Sequence, residues 1–73
     1  MPASSKHRLT LGQNIRRHRQ REALSQEKLA EKAALPTVFI NRVEAGKENI
    51  SVDALQRIAR SLGTTLRELF DGL

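Results

Sequence analysis

Four residues near the middle of the chain have types that match the edges of DNA bases: Thr37, Val38, Asn41 and Arg42. Arginine is bidentate to guanine, asparagine is bidentate to adenine, and valine or threonine methyls pack on the thymine methyl. On a helix running from Thr37 to Glu44, at ~100° per residue, these four and Ala45 share an arc of about 140°. Pro36, Phe39, Ile40 and Val43 gather on the opposite side. A helix that only packs on a domain surface usually shows lysine and glutamate outward, whereas here an outward valine wants an apolar partner. Each residue alone is an ordinary surface residue. Together on one arc they point to base readout.

Such a helix needs a support that holds it clear of its own domain, and the stretch from Gln26 to Val43 supplies one. Counted from Gln26, apolar residues stand at the fourth, tenth, fifteenth and eighteenth places: Leu29, Leu35, Ile40 and Val43. The fifth place is Ala30. Two helices crossing steeply through a short turn need a small side chain where their backbones approach, and Ala30 is that side chain. The spacing predicts a helix-turn-helix, whose second helix enters the major groove while the first lies across the backbone.

The remaining elements follow from caps and periodicity. Thr10 with Gln13 has capping-box spacing and opens a first helix to about Glu22, with Leu11, Ile15 and His18 on one face. Ser25 caps the second helix, with Leu29, Ala30 and Ala33 inward, and Leu24 is a hinge contact. Gly46 ends the third helix. Ser51 caps a fourth, with Val52, Leu55, Ile58, Ala59 and Leu62 as its stripe, and Gly63 stops it. Thr65 with Glu68 opens a short fifth. No segment alternates with period two. The expected architecture is all-α: residues 1–8 as a flexible basic arm, then one five-helix domain over 9–73.

Composition narrows the chemistry further. Seventy-three residues make one domain with a small core. There is no cysteine and there are two histidines, His7 and His18, which leaves no thiolate metal site, no disulfide and no expected cofactor. No glycine-rich phosphate loop is present and the acids are scattered singly, so no enzyme is expected. The net charge of +5 is uneven. Residues 1–21 hold Lys6, Arg8, Arg16, Arg17, Arg19 and Arg21 and no acid, and the rest is close to neutral. A basic end on a neutral body favours a polyanion. Phe39 and Phe70 are the only aromatics, too few for the stacking platforms that bind RNA or single strands. Without a membrane span or signal peptide, a cytoplasmic protein is expected.

Phosphate contacts are expected from the edges of the motif. Gln26 stands at a helix N-terminus, Arg16 and Arg17 flank the groove, and Lys47 and Asn49 follow the recognition helix. Arg19 and Glu44 are expected to form a partly buried pair joining the first helix to the third.

The segment from Leu11 to Phe70 carries the runs LSQEKLAEKA, INRVEAGK, RIA, SLG and ELF, and it resembles the Cro/cI-like (Xre-type) helix-turn-helix proteins. The GKENIS run after the recognition helix resembles especially the controller proteins of restriction–modification systems. The resemblance implies a lambda-repressor-like domain that binds DNA as a homodimer on inverted repeats. It places base readout on Thr37, Val38, Asn41 and Arg42, phosphate binding on Gln26, and the ion pair on Arg19 and Glu44. Dimerisation falls on Leu66, Leu69 and Phe70, extended to Leu73 and the fourth helix. The two recognition helices would then lie about 34 Å apart.

Several positions depart from the family pattern. Ala23 and Ala34 stand where glycine is usual, and a left-handed backbone at each would cost about 1 kcal/mol. His18 replaces a leucine and Pro36 a serine cap. Phe39, in the phosphate-facing set, replaces a frequent tyrosine and gives up a hydroxyl bond. So short a chain leaves no room for a small-molecule effector, so occupancy is expected to follow concentration. The alternative function is an antitoxin or other protein-interaction module on the same fold. Only Asp71, Gly72 and Leu73 follow Phe70, which is little to cover a toxin.

Overall fold

Side-chain oxygens decide where three of the helices begin. The computed structural model describes the backbone of residues 2–73 and the side chains of residues 6–73. It contains α1 (Pro2–Arg21), α2 (Gln26–Ala33), α3 (Thr37–Glu44), α4 (Val52–Leu62) and α5 (Leu66–Leu69), with no strand among the described residues. The Ser25 hydroxyl accepts from the Lys28 N–H at 3.0 Å, Ser51 from Ala54 at 3.1 Å and Thr65 from Glu68 at 3.2 Å. Each bond satisfies an N–H that the helix itself cannot. Pro36 precedes α3 with no side-chain cap.

The first four helices also end alike. Each closes with a paired set of backbone bonds across a left-handed residue, such as Leu35 N–H to the Ala30 carbonyl and Ala34 N–H to the Glu31 carbonyl. The left-handed residue is glycine at Gly46 and Gly63, but alanine at Ala23 (φ 57°) and Ala34 (φ 58°). The left-handed backbone considered for both alanines is therefore present.

The first helix starts earlier than its capping box implied. Met1 lies outside the described residues, and the backbone of 2–8, expected as an arm, continues α1. Thr10 and Gln13 are thus internal to the helix. Pro2 suits a first helical position, and no glycine or proline interrupts the run from Ala3 to Leu11, so an existing helix propagates through it.

Each helix contributes one fully buried large side chain: Ile15, Leu29, Ile40, Ile58 and Leu69. Burying each stabilises by about 1.5–3 kcal/mol. α2 packs on both α3 and α4, α1 packs on α3 and α5, and α5 also meets α4. Val52, expected in the buried stripe of α4, is instead 68% exposed. It lies about 70° from the centre of the stripe, at the helix's first residue.

Two further residues of α1 fix its neighbours. A Cβ on Gly12 would stand 2.8 Å from the Glu44 carbonyl oxygen and closer still to that of Val43, so only glycine lets α1 cross the end of α3 here. Asn14, buried, donates to the Leu69 carbonyl at 2.8 Å and to the Asp71 carbonyl at 2.7 Å, which ties α5 to α1.

Candidate nucleic-acid interface

The burial pattern of α3 divides it into two faces. Ile40, Val43 and Glu44 are buried, and Phe39 is half-buried against the core. Thr37, Val38, Asn41 and Arg42 are all exposed, on the arc the sequence indicated. Val38 is 65% exposed, which leaves most of its apolar surface uncovered.

Glu44 anchors the helix from beneath. Its carboxylate accepts from Arg19 Nε at 2.7 Å and Nη2 at 3.1 Å, and Arg19 Nη1 donates to the Leu24 carbonyl at 2.8 Å. The side chains are only 11% and 5% exposed. Gln26 Nε2 donates to the same carboxylate at 3.0 Å, while Gln26 Oε1 accepts from Asn41 Nδ2 at 3.4 Å. A chain of polar contacts thus runs from α1 through α3 and the start of α2 to an outward side chain of α3. Among the described residues, no buried side-chain nitrogen or oxygen lacks a partner.

The far end of the face is held by the loop after α3. Gly46, at φ 74°, turns the chain back, and Lys47 N–H reaches the Arg42 carbonyl at 2.9 Å. Arg42 Nε then donates to Glu48 Oε1 at 2.8 Å and Nη2 to the Lys47 carbonyl at 3.1 Å. Glu48 carries no signal in the sequence. It is six residues from Arg42, a spacing that meets only because of the left-handed turn between them.

The residues expected to meet phosphates are dispersed. Lys47 and Asn49 are exposed on the loop beside Arg42, and Gln26 is partly buried at the start of α2. Arg16 is exposed, about 60° around α1 from Arg19. Arg17 lies about 160° from Arg19 and faces the other way. It donates to Asn14 Oδ1 and lines an open cleft between α1 and α5 with Arg67, Glu68 and Asp71, so the structure does not bring it to α3. Phe39 offers only carbon.

The residues expected to dimerise also separate. Leu69 is fully buried within its own chain and has no surface left for a partner. Phe70 and Leu73 are exposed, and Leu66 is partly buried against the core. With four residues, α5 turns only one side chain fully inward, and that one is Leu69. No helix among the described residues is long and apolar enough to cross a membrane. Among the described residues, no group of acids and histidines could hold a metal ion.

Comparison with known proteins agrees with this fold. The model of the helix-turn-helix family matches residues 15–69. Control protein C.BamHI of Bacillus amyloliquefaciens is 37% identical over 65 residues, covering 88% of this chain and 80% of that protein. Control protein C.MunI of a Mycoplasma species is 33% identical, covering 90% of each. Among solved structures, the restriction–modification controller protein C.AhdI from Aeromonas hydrophila superposes with a TM-score of 0.85 at 35% identity, covering 86% of this chain and 96% of that one. The chain belongs to the helix-turn-helix family, in its Xre-type branch, and is homologous to the control proteins.

Proposed function

We propose that the chain is a sequence-specific regulator of transcription that binds double-stranded DNA as a symmetric homodimer on inverted repeats, and that it controls a restriction–modification system. The observation that carries this is the outward face of α3. Thr37, Val38, Asn41 and Arg42 offer methyl groups and bidentate donors on one exposed arc, above a buried ion pair that fixes the helix. The relatives named as control proteins support the biological setting. Thr37 and Val38 enter the groove first, where thymine methyls lie, and Asn41 and Arg42 follow at base-edge height. Lys47, Asn49, Arg16 and the start of α2 at Gln26 hold the flanking phosphates and so set register. Occupancy follows protein concentration in the cytoplasm, with no small-molecule effector.

Selection of bound duplexes from a randomised pool tests the reading, with the selected duplex titrated against random DNA at several salt concentrations. An enriched inverted repeat with a large affinity gap is the expected result. Binding without enrichment, lost steeply with salt, would leave only a basic surface on phosphates.

A further inference from the structure

We propose that Glu48 is a positioning residue for base readout: it clasps Arg42, aims its free donors outward, and cancels the charge that would otherwise attract any phosphate. This rests on the reading of α3 as the DNA-facing helix.

The geometry of the guanidinium carries the argument. Arginine has two pairs of parallel N–H donors, one along the Nε edge and one at the tip. Glu48 Oε1 and the Lys47 carbonyl take Nε and Nη2, the Nε edge. Nη1 and one hydrogen of Nη2 are left, and no other partner for them occurs among the described residues. A tip fork is what guanine O6 and N7 accept. The side chain of Arg42 is 50% exposed and that of Glu48 only 28%, so Arg42 is the more accessible member of the pair.

The charge has a second consequence. A free arginine at the groove gains from every phosphate on any sequence, and such gains raise random binding as much as specific binding. Paired with Glu48, Arg42 presents a neutral unit to the backbone. It profits only where a base edge meets its fork. Glu48 therefore lowers affinity for random DNA and raises discrimination.

Two variants separate orientation from charge. Glu48→Gln keeps an oxygen acceptor without the charge, and Glu48→Ala removes both. Each is titrated, with wild type and Arg42→Ala, against the duplex selected from the randomised pool, against its single-base-pair variants and against random DNA, over a salt series. Both Glu48 variants are expected to bind random DNA more tightly, with a salt dependence steeper by about one unit of log–log slope. Glu48→Ala is expected to lose about ten-fold in discrimination at the base pair that Arg42 reads. Glu48→Gln should keep most of it. In an Arg42→Ala background, Glu48→Ala should lose nothing further at that pair. Thermal melts of the same variants detect a purely structural role, which would shift stability and leave discrimination unchanged. Undiminished discrimination in Glu48→Ala, or equal loss with and without Arg42, overturns the proposal. Wild type that fails to prefer any duplex over random DNA overturns the DNA-reading assignment beneath it, and the clasp with it.

Discussion

The Arg19 guanidinium and the Glu44 carboxylate meet in two hydrogen bonds, at 2.7 and 3.1 Å, across the contact between α1 and α3. Glu44 also accepts from Gln26, so one carboxylate serves three helices. Glu44→Ala leaves the Arg19 charge largely buried without its partner. The expected cost is about 3–5 kcal/mol, a large share of the stability of so small a domain. Urea unfolding followed by circular dichroism measures it. A loss below that of an ordinary surface substitution would mean that water replaces the carboxylate.

Arg42→Ala and Lys47→Ala should fail in different ways. The first is expected to cost about 1–3 kcal/mol and to relax preference at one base pair. The second should weaken every duplex alike, because its side chain is exposed on the loop after α3, where the proposed contact is to a phosphate. Titration against single-base-pair variants of the selected duplex distinguishes them. Equal losses on selected and random DNA for Arg42→Ala would remove it from the base-reading set.

Ala34 occupies a left-handed backbone at φ 58° and its side chain is exposed, so its methyl fills nothing. Ala34→Gly should remove strain of about 1 kcal/mol, partly offset by the greater freedom of the unfolded chain. A rise in melting temperature of about 2–6 °C is expected. An unchanged or lower melting temperature would show that the turn bears no strain.

Asn14 satisfies the last carbonyls of the chain's final helix, at Leu69 and beyond it at Asp71. Asn14→Leu would deprive the buried Leu69 carbonyl of its donor, at an expected cost of about 1–3 kcal/mol. Hydrogen exchange on the amides of 66–73 should then quicken more than that of α2. Uniform quickening would instead indicate a global loss without local release of α5.

Phe70→Asp tests the surface proposed for the second copy. Phe70 is 41% exposed, so the change should leave the helical content intact while shifting the chain towards monomer and weakening binding to the full inverted repeat. Sedimentation velocity reads the first effect. Leu69→Ala should do the opposite, destabilising the fold by about 2–5 kcal/mol because its side chain is wholly inside. A variant Phe70→Asp that sediments as wild type would move the dimer contact elsewhere.

Helix boundaries governed by local chemistry were legible along the chain. Ser25, Ser51 and Thr65 cap where their types say they should, because an N-cap bond spans only three residues. The bounds of α3 and the outward arc of Thr37, Val38, Asn41 and Arg42 follow from helical period alone. The Arg19–Glu44 pair was also within reach, since each residue stands at a predictable edge of its own helix.

What depended on neighbours was not. Nothing in the run from Ala3 to Thr10 fixes where α1 begins. The close approach at Gly12 and the bond from Asn14 to Leu69 span more than thirty and more than fifty residues, so no local pattern encodes them. Leu69 and Phe70 are adjacent apolar residues, and only the packing of α5 against α1 and α4 decides which goes inside. Arg17 looks like its neighbour Arg16 until rotation about α1 turns it towards α5. Glu48 meets Arg42 only because Gly46 reverses the chain. The sequence by itself determined five helices, the caps of α2, α4 and α5 and the outward face of α3, since those rest on periods and contacts of a few residues. Tertiary structure alone decided which outward side chains stand unaccompanied and which are held, because that depends on atoms brought together by the turns.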